Sequence, residues 1–166
     1  FLIAISTLTT IYYFVYSQQL LYGDALSRLN ISRKILDNLT PGLGQIGNVW
    51  LPLPQLLMLP FIGNNFLWHS GLAGAIMSMI SYIFVGYFIY KSSFLITKSK
   101  FCGFFSLVVY ALNINVVYMQ TTAMAESLFI GLLAASIYYF LRWMETKNKM
   151  LLEPAAIFVS GMSFTR

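Results

Sequence analysis

Residues 68–90, WHSGLAGAIMSMISYIFVGYFIY, run without one formally charged side chain. A bilayer's hydrocarbon core needs about 20 apolar residues per spanning helix, and this stretch supplies them. The whole chain agrees with that reading. It is 58% hydrophobic, 17% aromatic and only 9% charged, whereas soluble domains carry about 25% charged residues. So few charges cannot cover the surface of a soluble domain of 166 residues. The expected fold class is therefore all-α, a polytopic transmembrane helix bundle.

Working outward, four more apolar stretches read as spans. Residues 1–21, FLIAISTLTTIYYFVYSQQLL, supply the first, and 101–119, FCGFFSLVVYALNINVVYM, the third. Residues 127–143 supply the fourth, and 154–166 begin a fifth, with Pro154 suited to a first helical turn. The net charge of +5 is a topology signal, because the basic residues sit at the ends of apolar runs. Lys91, Lys98 and Lys100 fall in one short loop, 91–100. Arg142, Lys147 and Lys149 fall in another, 142–150, while the turn 120–126 has no Lys or Arg. The positive-inside rule puts both basic loops in the cytoplasm. The long loop 22–67 then lies outside, in a multi-pass integral membrane protein. The lone cysteine, Cys102, rules out an internal disulfide and reads as a buried thiol. No internal repeat, low-complexity tract or soluble domain stands out. The first residue is Phe and the chain ends at GMSFTR, so a piece of a longer protein is expected.

The external loop holds a dense charged patch, Asp24, Arg28, Arg33, Lys34 and Asp37. Residues 24–39 read as a helix with Ala25, Leu26, Leu29, Ile35, Leu36 and Leu39 on one side and polar residues on the other. That pattern predicts an amphipathic helix lying flat at the membrane surface. Asp24 is placed as its N-cap, and Thr40-Pro41-Gly42 as its end. After it, VWLPLPQLLMLPF (49–61) carries Pro52, Pro54 and Pro60, which speak against a regular spanning helix. Irregular backbone packed over a cleft is expected there.

Two carboxylates, Asp24 and Glu126, stand at external helix mouths. Each has a structural reading as well: Asp24 as a cap paired with Arg28 four residues on, Glu126 as compensation for a helix dipole. Arg28, Arg33 and Lys34 suit either lipid headgroups or a bound phosphate, which arginine grips bidentately. His69, the only histidine, reads as an interfacial polar residue beside Trp68. Trp50 and Tyr22 suit either the interfacial belt or stacking on a sugar. No His/Cys/Asp/Glu cluster has metal-ligand spacing. A divalent ion on Asp24 and Glu126 is left open, and no other cofactor is implied. Nor is there a nucleotide-binding glycine loop or a case for nucleic acid as partner.

The segment GDALSRLNISRKILDNLTPGLGQIGNVWLPLPQLLMLPF (23–61), followed by MQTTAMAESLFIGLL (119–133), resembles the polytopic membrane glycosyltransferases of the GT-C type. The likeness is to the prokaryotic relatives of the protein O-mannosyltransferases and the lipid A aminoarabinose transferase, and it covers their front part. It implies an inverting sugar transfer from a polyprenyl-phosphate donor, on the external face, to a hydroxyl of a protein, lipid or glycan acceptor. In that frame the membrane is the cytoplasmic membrane of a prokaryote, Asp24 is the catalytic base and Arg28 the basic residue of the juxtamembrane helix that meets the phosphate; Arg33, from its place on that helix, is a further candidate phosphate ligand. Glu126 is the acidic residue opening a later span, and Arg166 begins a further motif. Gln55 stands where such enzymes often carry His, and the first loop has one Asp in place of an acidic pair. The fragment alone is expected to be inactive. The rival reading is part of a polytopic transporter or lipid flippase, which the lack of mid-membrane charge in these spans disfavours.

Overall fold

The computed structural model describes every residue except Asn48, Val49 and Arg166, and among the described residues there are helices and no strands. In chain order these are α1 (Leu2–Val15), α2 (Gly23–Leu36), α3 (Pro52–Ile62), α4 (Asn65–Ser70), α5 (Leu72–Thr97), α6 (Lys100–Ala111), α7 (Ile114–Met119), α8 (Glu126–Thr146) and α9 (Leu152–Met162). Short 3-10 turns occupy Leu43–Ile46 and Lys149–Leu151. Two helices, α5 and α8, are long and apolar enough to cross a membrane, with mean hydropathies of 1.9 and 1.4.

The other expected spans are shorter than the apolar runs that suggested them. α1 has 14 residues, a rise of about 21 Å, and Ser17 beyond it takes φ 55, which no L-residue continues as helix. The run 101–119 breaks at Leu112 and Asn113. The Asn113 side chain accepts from the N–H groups of Asn115 and Val116 and so starts α7. The Tyr82 hydroxyl donates to the Ala111 carbonyl at 2.8 Å, satisfying a group left open by the end of α6. α5, by contrast, runs on to Thr97, so Lys91 stands on a helix and not in a loop.

The proline-rich segment corrects the expectation of irregular backbone, for α3 is helical. Pro52 and Pro54 fall in its first turn, where a missing N–H costs no intrahelical bond. The Leu53 N–H donates instead to the Phe164 carbonyl at 3.0 Å. With 11 residues, Pro60 among them, it is too short to span.

A second correction concerns α2. It ends at Leu36, and Tyr22, not Asp24, is its N-cap. Its buried face is Ala25, Arg28, Leu29, Ser32 and Ile35, an i, i+3, i+4, i+7, i+10 stripe that includes the arginine. Leu26 and Leu36 are exposed. α2 therefore packs on protein: Ala25 and Leu29 join Met58 and Ile62 of α3, Ala73 and Met77 of α5, and Ala123, Met124 and Leu128 in one core cluster.

The turn 120–125 is wholly buried. Its first three N–H groups donate to carbonyls of α7, and two of its carbonyls and the Gln120 side chain are met from α5 and α1, as irregular backbone inside an apolar bundle requires. The Ser78 hydroxyl donates to the carbonyls of Thr122 (2.7 Å) and Met124 (3.2 Å). The Ser6 hydroxyl donates to Gln120 Oε1 at 2.7 Å, and Gln120 Nε2 donates to Thr9 Oγ1 at 2.9 Å. α5 approaches so closely that a Cβ on Gly74 would lie 2.1 Å from Ala123 Cβ. These contacts fix the start of α8, and with it Glu126, against α5.

Candidate functional site

At the end of the bundle where α2 meets the start of α8 lies a cavity of about 340 Å³, lined by Asp24, Arg28, Trp50, Ala125, Glu126, Phe129 and Ile130. Each polar group reaches it for a local reason. Asp24 is the second residue of α2 and makes no capping bond, so its exposed carboxylate is left uncommitted. Arg28, one turn on, shares the buried stripe of α2. Glu126 opens α8, where a carboxylate suits the positive end of the helix dipole. Phe129 and Ile130 follow it at i+3 and i+4, on the same face.

Arg28 is the unusual member. Its side chain is 5% exposed, and among the described residues its Nε and Nη1 have no hydrogen-bond partner. The Trp50 ring lies 4.4 Å from its Cζ, which holds the guanidinium plane without satisfying its N–H groups. Burial lowers the Arg28 pKa below the ordinary arginine value, against the smaller upward pulls of Glu126 and then Asp24. Arginine starts so high that it stays charged. Neither carboxylate is within ion-pair distance of it: the ion pairs among the described residues are Arg33–Asp37 and Lys98–Glu145. Glu126 Oε2 is likewise buried without a partner. A largely desolvated cation with unmet donors gains from an arriving anion, since much of its desolvation has already taken place. An uncommitted carboxylate on the same wall can take a proton from a hydroxyl.

Of the residues singled out in the sequence, Asp24, Arg28 and Glu126 come together here. Arg33 does not line the cavity. Its Nη1 donates to the carbonyls of Ile62 (3.0 Å) and Gly63 (2.9 Å), and its Nε and Nη2 to Asp37 Oδ2 (3.2 and 2.8 Å). It thus ties α2 to the end of α3, with its Cζ 4.9 Å from the Trp68 ring, and four of its five N–H groups are spent on these protein acceptors. Arg166 lies outside the described residues. Gln55 is fully buried with both amide atoms unpartnered, but away from the cavity wall. His69 is exposed and lines a separate hollow with Phe14, Ser17, Gln19, Leu20 and Ser70.

The Asp24 and Glu126 carboxylates share the wall, but no group of three or more His, Cys, Asp or Glu side chains suited to a metal occurs among the described residues. Nothing in the sequence pattern singles out Phe129 and Ile130 as lining residues. Their 126/129/130 spacing is the signal that, once Glu126 is chosen, would find them. No family model, curated protein or solved structure matches the chain.

Proposed function

We propose that this cavity is the donor-side half of the active site of a multi-pass membrane glycosyltransferase, with the α2 end of the bundle outside the cytoplasm. The donor is a sugar on polyprenyl phosphate, and the acceptor is a hydroxyl. The observation that carries this reading is a buried guanidinium with unmet donors, sharing one cavity with an uncommitted carboxylate. The site lies at the mouth of the two helices able to cross a membrane. A lipid-borne phosphate and a water-borne acceptor meet only at such a boundary.

In the proposed step the acceptor oxygen attacks the anomeric carbon from the face opposite the phosphate, inverting it. Asp24 takes the hydroxyl proton as the new C–O bond forms. The bond from the anomeric carbon to the phosphate oxygen breaks, and its electron pair leaves with polyprenyl phosphate. Arg28 meets that charge in a site shielded from water. Glu126, beside it, orients the sugar through hydroxyls that donate to its unpartnered oxygen.

The test is transfer by the full-length protein in native membranes, with a polyprenyl-phosphate-linked sugar and mass-spectrometric detection of product. Asp24→Asn should slow transfer by about 10²- to 10⁴-fold while leaving donor binding intact. An Asp24→Asn protein that turns over at the wild-type rate overturns the assignment of the base. Arg28→Lys should raise the KM for donor and leave that for acceptor unchanged, because an ammonium cannot reproduce a bidentate grip. Equal effects on the two substrates would sink the phosphate role.

A further inference from the structure

The opposite end of the bundle carries one turn twice. Thr97-Lys98-Ser99-Lys100 joins α5 to α6, and Thr146-Lys147-Asn148-Lys149 joins α8 to the 3-10 turn before α9. The copies agree in backbone and in bonds. Lys98 and Lys147 each take φ 55 and ψ 14 to close their helices. The threonine hydroxyls donate to the Ser93 and Arg142 carbonyls at 2.8 and 2.9 Å, and accept from the Ser99 and Asn148 N–H groups at 3.3 Å. Ser99 and Asn148 then cap the next helical segment.

The two turns are neighbours because α5 and α8 run parallel. Ser78, early in α5, bonds the carbonyls just before α8, and Lys98, at the end of α5, bonds Glu145 at the end of α8. Lys98, Lys100, Lys147 and Lys149 are all exposed. Glycine takes this cap conformation at least cost, yet both turns hold lysine there. Around them Ile96, Phe101 and Met150 are 67%, 76% and 72% exposed, and Lys147 Nζ lies 5.6 Å from the Trp143 ring.

We infer that the paired turns form a docking surface for anionic phospholipid headgroups. The ammonium groups of Lys100, Lys147 and Lys149, which pair with no carboxylate among the described residues, meet headgroup phosphodiesters as point charges, Trp143 sits at headgroup level, and Ile96, Phe101 and Met150 enter the acyl boundary. Charge complementarity selects this occupant, since nearby Glu145 already answers Lys98. The inference rests on reading α5 and α8 as membrane spans and is independent of the chemistry at the cavity.

The full-length protein is exchanged into micelles holding equal phosphatidylglycerol and phosphatidylcholine, and native mass spectrometry reads the lipid that stays bound. The wild type should prefer phosphatidylglycerol by about tenfold. Replacing Lys98, Lys100, Lys147 and Lys149 together by Gln should remove the preference, and replacing them together by Arg should keep it. Raising salt on the wild type should erode the preference as well, a readout that needs no variant to fold. Equal retention of both lipids by the wild type, a preference that survives the Gln changes, or one indifferent to salt overturns the inference. So does displacement of the lipid by soluble glycerol phosphate at matched concentration. Any of these failures leaves Asp24 and Arg28 untouched, just as inactivity of the cavity would leave this surface untouched.

Discussion

Arg28 and Arg33 are one turn and a residue apart on the same short helix, yet their chemistry is opposite. Arg33 is spent on two carbonyls and a carboxylate, whereas Arg28 is buried with two nitrogens unmet. Removing them should therefore move stability in opposite directions. Arg33→Met strips the donors from the Ile62 and Gly63 carbonyls and should cost about 1–3 kcal/mol. Arg28→Met removes a desolvated charge with no ion-pair partner among the described residues, and should be neutral or stabilising by about 1–4 kcal/mol while abolishing phosphate binding. Thermal unfolding of the two variants in detergent checks both. An Arg28→Met protein that melts well below wild type would mean that the guanidinium is structural. The residue types are legible in the sequence, where both arginines suit either lipid headgroups or a bound phosphate. Which of them was already committed was not, because its acceptors come from 29 and 30 residues away.

Among the elements, the buried turn 120–125 decides where the site stands, and its packing rather than its sequence pattern explains it. Read in line, those residues form an uncharged connection between two spans. In the fold they are the surface against which α5 docks. Gly74 is the point of closest approach, so Gly74→Ala must push the turn away, at a cost of about 1–3 kcal/mol, and displace Glu126 with it. Gly23, which has nothing within 4 Å of an added Cβ, should accept Ala with a gain of about 0.4–1 kcal/mol. Unfolding midpoints of the pair measure the contrast; a tolerated Gly74→Ala would place the turn farther from α5 than described. The same local blindness explains α3. Three prolines argue against a helix when counted, and permit one when two of them fall in its first turn. It also explains α1 and α6, whose ends are set by a left-handed Ser17 and by the Asn113 side chain, neither visible in an apolar run. The apolar runs of α5 and α8 were legible because no break interrupts them, although α5 starts at Leu72 and runs on to Thr97, beyond the expected end at residue 90.

At the scale of the whole molecule the charges are sorted by end. The cavity end holds Asp24, Arg28 and Glu126. The far end holds the two lysine turns, joined across α5 and α8 by Lys98 and Glu145. With α5 and α8 parallel, a membrane around them puts these ends on opposite sides, and the positive-inside rule assigns the lysine end to the cytoplasm. The prediction is one of sidedness. In full-length protein whose Cys102 is replaced by Ser, Gly23→Cys should react with a membrane-impermeant maleimide added to intact cells. Lys149→Cys should react only after the membrane is opened. Both positions are exposed, so burial does not account for a failure to label. If position 149 labels from outside and position 23 does not, the cavity faces the cytoplasm, where the proposed acceptor and donor are not presented together. The sugar-transfer reading then falls while the helical fold stands. Labelling of both from outside would mean that α5 and α8 do not cross the bilayer at all, and the lysine turns would lose their leaflet along with the cavity's lipid-borne substrate.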